Sequence, residues 1–167
     1  MSILPSPISE LAQHVIRAAK EQGIIIATAE SCTGGLIGGA LTDISGSSAV
    51  FDRGFITYTN KAKMQVLGVK ADTLRAVGAV DEKTAREMAC GAVAKSAASL
   101  SVAVTGIAGP GGSDHKPAGR VHLATANRSG DINHRQMDYG DIGRDQTRLA
   151  TIVTALEMLL EAMTVKQ

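Results

Sequence analysis

Apolar residues recur along the chain in two rhythms, and the switches between them predict where helices give way to strands. Ser9 is placed to cap a first helix, Leu11, Val15, Ala18 and Ala19 follow at helical spacing, and Gly23 ends it. Residues 24–27, IIIA, are apolar at every position, which predicts a short strand buried on both faces. LIGGALTDI then predicts a helix whose glycines let it lie close to a sheet. Residues 50–59, VFDRGFITYT, predict a second strand in which Gly54 marks a bulge or a close approach. Asn60 is placed to cap a short helix that Gly68 ends, and another helical turn follows Asp72. Asp81 starts a stronger helix with a buried stripe of Ala85, Met88, Ala89, Ala92 and Val93. Residues 100–104, 119–126 and 132–138 predict three more strands, and a last helix carries Leu149, Ile152, Val153, Leu156, Leu159 and Leu160.

This order predicts an α/β fold: one three-layer α/β/α domain with a mixed sheet over residues 9–165, preceded by a flexible arm at 1–8. A length of 167 residues fits one domain, and 44% hydrophobic with 20% charged residues is a globular balance. Aromatic content of 2% leaves an aliphatic core and removes the stacking platforms that single-stranded nucleic acid requires. A net charge of +1 without a basic run gives no reason to expect a nucleic acid or an anionic membrane as partner. No stretch reaches the ~18 continuous apolar residues of a membrane span. MSILPSPISE lacks the basic and apolar regions of a secretory signal, so a cytoplasmic protein is expected. Its aliphatic helices suit a homo-oligomer.

Chemistry concentrates at two places. TAESCTGG (28–35) and VTGIAGPGG (104–112) share a plan in which a buried strand is followed by a hydroxyl and then by glycines. Ligands in open α/β sheets collect beyond the carboxyl ends of strands, where glycines let backbone N–H groups approach an anion. The plainer reading is that Ser31 or Thr33 caps a helix. G-x-x-x-x-G-K-[ST] and G-x-G-x-x-G are both absent, which disfavours a nucleoside triphosphatase or a dinucleotide oxidoreductase.

Ser48 lies in the turn before the second strand, and Tyr58, Lys61 and Lys63 lie at its end. A serine needs a base to become a nucleophile, and a lysine serves only when neutral. By spacing alone Ser48 is an ordinary turn hydroxyl and Lys63 a solvated helix lysine. His14, His115, His122 and His134 form no metal motif, so no metal is expected, and His122 and His134 are expected at the surface. Cys32 is either a reactive thiol at a helix start or a small apolar filler. Arg144 and Arg148, one turn apart, either grip a phosphate or pair with Asp141 and Asp145 on a solvated face.

Taken together, AESCTGG, GSS before a strand ending ITYTN-x-AK, GAV-x-E, VTGIAGPGG followed by KP-x-G, and GD before R-x-x-x-R resemble the CinA C-terminal family of stand-alone nicotinamide mononucleotide deamidases, the PncC-type amidohydrolases. The resemblance runs from about Leu11 to Leu160. It implies a three-layer α/β/α fold without metal or cofactor, and hydrolysis of the carboxamide of nicotinamide mononucleotide to nicotinate mononucleotide and ammonia, a step of pyridine nucleotide recycling. Carried over by position, Ser48 is the expected nucleophile, Lys63 its base and Tyr58 an aid to proton transfer. Ser31, Thr33, Gly34, Thr105 and Gly106 are expected to line the site, with Arg144 and Arg148 on the phosphate and arginines near Lys63 favouring its neutral form. Ser31 is the rival nucleophile, because it stands on the sharper strand-to-helix turn. The departures are Lys61, Ala118 after KP, and Ile142-Gly143 within the arginine segment. A non-catalytic nucleotide-binding or protein-interaction module, of the competence or DNA-damage kind, is the alternative from another class.

Overall fold

Strand residues alternate large and small, and that alternation decides which helices pack on which face. The computed structural model describes residues 2–113 and 115–164. In chain order its elements are α1 (Ser6–Gln22), β1 (Ile26–Glu30), α2 (Leu36–Thr42), a 3-10 turn (Ser47–Ala49), β2 (Phe51–Ile56), α3 (Asn60–Leu67), α4 (Ala71–Val77), α5 (Glu82–Ala94), β3 (Leu100–Gly106), β4 (Arg120–Asn127), β5 (Ile132–Asp138) and α6 (Arg144–Thr164). The five strands form one sheet in the order β2-β1-β3-β4-β5. β1 is parallel to β2 and β3, whereas β4 runs antiparallel to both β3 and β5, so the sheet is mixed as expected.

One face of the sheet presents Ile26, Leu100, Val102, Val104, Val121 and Leu123 to α1, α2 and α6. The other presents Ala27, Ala29, Ala103, Ala124 and Ala126 to the alanine stripe of α5. Alanine against alanine brings α5 close to the strands, and no aromatic is needed to fill the gap. Gly91 marks the closest approach of α5 to α3, since a Cβ there would strike the Leu67 carbonyl.

β1 connects to β2 through α2 on one face, and β2 connects to β3 through α3, α4 and α5 on the other. The chain therefore reverses its winding beside β1. Side chains beyond the carboxyl end of β1 open into the crevice that such a reversal leaves, the usual place for a ligand in a parallel sheet.

Several boundaries differ from the sequence expectation, β2 for example ending at Ile56 rather than at residue 59, and three of the differences have a local cause. α1 begins at Ser6 with a proline in its first turn, and Ile8 is buried, so the first helix takes in part of the expected arm. β1 starts two residues late and runs through Thr28-Ala29-Glu30, because every one of its positions is buried, charged Glu30 included. Thr59 rather than Asn60 caps α3, its side chain accepting from Ala62 N at 3.1 Å. The expected domain end at residue 165 lies outside the described residues. No described helix is long and apolar enough to cross a membrane.

Candidate active site

Lys63 is the fourth residue of α3 and is only 1% exposed. Helix side chains lean toward the N-terminus. The Lys63 stem accordingly runs back beneath the start of α3 and reaches the end of β2. Its Nζ donates to the main-chain carbonyls of Thr57 (2.8 Å) and Tyr58 (3.3 Å) and lies 2.9 Å from Ser31 Oγ. With two carbonyls taking two N–H groups, a neutral amine keeps its lone pair for the serine proton. Burial lowers the Lys63 pKa from 10.5 to about 8, with neighbouring Cys32 the lesser and opposing influence. Burial, and not the arginine neighbours expected from the sequence, is what favours the neutral form.

Ser31 follows the last residue of β1, and its N–H bonds Val104 O at 3.1 Å. The turn that carries it is built around Glu30. This buried carboxylate accepts five hydrogen bonds, from the hydroxyls of Thr28 (3.1 Å) and Thr33 (2.7 Å) and from the N–H groups of Gly35 (3.2 Å), Ile37 (2.9 Å) and Gly38 (2.9 Å). Three otherwise unpaired amides at the start of α2 are thereby satisfied by one negative charge. Gly34 and Gly35 take φ values of 60° and 98°, which a glycine adopts without strain. Arg148 holds the turn from outside, with Nε on Cys32 O (3.1 Å) and a terminal nitrogen on Thr33 O (3.2 Å).

A cleft of about 330 Å³ opens over Ser31 and Lys63, lined by Thr105 and Gly106 and by the loop Ile107–Ser113, with Ala79 and Val80 also on its wall. That volume suits a small-molecule ligand. Arg144, at the start of α6, reaches the rim, donating to Gly109 O (2.9 Å) and to the Tyr58 hydroxyl (2.9 Å). The N–H groups of Gly109, Gly111 and Gly112 make no hydrogen bond within the described residues.

The structure brings together Ser31, Lys63, Tyr58, Thr105, Gly106 and Arg144, and it sets four other expected residues apart. Ser48 is exposed in the 3-10 turn that precedes β2, whereas Lys63 follows the far end of that strand. Six strand residues separate the two ends by about 20 Å. Ser48 therefore does not meet Lys63, and the serine beside Lys63 Nζ is Ser31. Thr33 turns its hydroxyl to Glu30, and neither Thr33 nor Gly34 lines the cleft; both shape the turn. Arg148 is occupied by main-chain carbonyls, which leaves Arg144 as the arginine at the cleft. Tyr58 contributes its carbonyl to Lys63, while its phenol faces Arg144.

Burial pushes the Cys32 thiol up to about 11, so Cys32 fits the filler reading. His122 is buried, contrary to expectation, and its Nδ1 lies 3.0 Å from His134 Nε2, beside Glu82. Glu30 is the functional side chain that sequence reasoning passed over. Its signal was a carboxylate three residues beyond the all-apolar run 24–27 and just before the glycines that open a helix, where only strong pairing could hold it.

A family model described as the CinA C-terminal domain matches residues 8–163. The nicotinamide-nucleotide amidohydrolase PncC of Escherichia coli K12 is 46% identical over 156 residues, 92% of this chain and 93% of that protein. A CinA-like protein of Chloroherpeton thalassium is 52% identical over 117 residues, covering 70% of this chain and 28% of its own length. The crystal structure of the competence/damage inducible protein CihA from Agrobacterium tumefaciens superposes with a TM-score of 0.93 at 58% identity, over 98% of this chain and 99% of that one.

Proposed function

The chain belongs to the CinA C-terminal domain family, and from that membership and the geometry of the cleft we propose that it hydrolyses the carboxamide of nicotinamide mononucleotide, releasing ammonia. The observation that carries the chemistry is the 2.9 Å approach of Lys63 Nζ to Ser31 Oγ on the floor of the cleft.

Neutral Lys63 takes the Ser31 proton as Oγ attacks the carboxamide carbon. The carbonyl π pair moves to oxygen, and the glycine-loop N–H groups of the cleft wall, unbonded among the described residues, would stabilise that oxyanion. Collapse of the intermediate breaks the C–N bond. The Lys63 ammonium returns its proton to the departing nitrogen, which leaves as ammonia. Water, deprotonated by Lys63, then attacks the acyl ester on Ser31; the carbon–Oγ bond breaks, the Lys63 ammonium returns its proton to Ser31 Oγ, and the product acid leaves as the carboxylate after losing its proton to solvent. Arg144 is the cation at the rim suited to the phosphate, with the loop amides beside it.

A binding module without catalysis would have no use for a buried lysine of lowered proton affinity against a serine. Ammonia release from nicotinamide mononucleotide by the purified chain tests the reading. Stoichiometric production of ammonia and nicotinate mononucleotide is expected, whereas tight binding without turnover would support the binding module instead.

A further inference from the structure

Four consecutive main-chain carbonyls between α4 and α5 are each taken by a side chain from elsewhere. Gly78 O accepts from Thr84 Oγ1 (2.7 Å) and Ala79 O from Thr105 Oγ1 (2.7 Å). Val77 O (3.0 Å) and Val80 O (2.5 Å) both accept from Lys116 Nζ. Val77 ends α4, so one of these bonds satisfies a carbonyl that the helix leaves unpaired. Loop carbonyls at a surface are ordinarily left to water, and pairing all four fixes this segment in place.

At its other end Lys116 closes a tight hairpin. Its N–H bonds Ser113 O (2.8 Å), its carbonyl accepts from Ser113 N (3.0 Å), and a Cβ on Gly112 would strike that same carbonyl. The hairpin carries Gly109–Ser113 and the segment 77–80 carries Ala79 and Val80, and both line the cleft over Ser31. We propose that Lys116 is a positioning residue, a strap that ties these two walls together and sets the width of the substrate cleft. It touches neither Ser31 nor Lys63. It turns carbonyl oxygens toward its own ammonium, which reduces the repulsion that an anionic substrate would meet from that wall.

The test compares wild type, Lys116→Met and Lys116→Arg by peptide-resolved hydrogen exchange and by steady-state kinetics with nicotinamide mononucleotide. In Lys116→Met, exchange of the bonded amides in peptides covering 77–80 and 107–113, Gly78 in the first and Ile107 and Ser113 in the second, is expected to quicken about tenfold, with the rest of the fold unchanged. KM is expected to rise about tenfold while kcat falls by less than about threefold. Arginine, which also donates to two carbonyls, should restore both quantities toward wild type. Wild-type protection of both segments in Lys116→Met would overturn the strap. So would loosening of the entire fold that arginine does not repair, which would make Lys116 a general stabiliser. The KM effect presupposes the amidase reaction above, whereas the exchange result does not. A wild-type chain that released no ammonia would therefore remove that reaction and leave the strap to be decided by exchange.

Discussion

Lys63 and Ser31 sit on different elements 32 residues apart, yet Nζ and Oγ lie 2.9 Å from each other. The contact depends on two local devices. Glu30 holds the turn that presents Ser31, and the lean of α3 carries the Lys63 stem back beneath its own helix start.

Activity should follow the neutral fraction of Lys63. With its pKa lowered by burial to about 8, kcat/KM is expected to rise with pH and level off above about 8. Stability shares the sign: the unfolded chain binds more protons between about 8 and the ordinary value of 10.5, so this group adds stability as pH rises through that window. A kcat/KM profile that falls on passing upward through about pH 8 would contradict Lys63 as the base.

Glu30→Gln keeps the shape but turns an amide NH₂ toward N–H donors. With five donors converging on the buried carboxylate, a loss of about 3 kcal/mol in unfolding free energy is expected, together with a fall in turnover. Urea denaturation with an unchanged slope would measure the first effect. Wild-type stability in Glu30→Gln would show that the carboxylate does not hold the turn.

The two arginines should separate. Arg144→Ala removes the rim cation and is expected to raise KM about tenfold with a smaller change in kcat. Arg148→Ala frees the Cys32 and Thr33 carbonyls, so its effect should fall on kcat and thermal stability. Indistinguishable kinetics in the two variants would refute this division.

Cys32→Ala should turn over within about threefold of wild type, because a buried thiol with a raised pKa supplies no thiolate. Loss of activity in that variant, accompanied by thiol alkylation of the wild type, would favour cysteine chemistry.

The fold was legible wherever one side-chain period governed an element. The α5 stripe of Ala85, Met88, Ala89, Ala92 and Val93 is buried throughout, as its spacing predicts. The sequence pattern sets β1 too early because Glu30 and Thr28 look polar, and only their mutual hydrogen bond and the α2 amides make them inner residues. In the site, both glycine-rich loops do flank the cleft. Ser48 and Lys63 are both near β2 in sequence but lie at opposite ends of it, a separation that a motif read along the chain does not register. Spacing alone makes His122 a surface residue, because it does not register His134 across the strand pair.

The most direct measurement is ammonia release from nicotinamide mononucleotide by wild type, Ser31→Ala and Ser48→Ala under the same conditions. Ser31→Ala should lose at least about a thousandfold in turnover while Ser48→Ala stays near wild type. Full activity in Ser31→Ala, or its loss in a folded Ser48→Ala, would contradict Ser31 as the nucleophile.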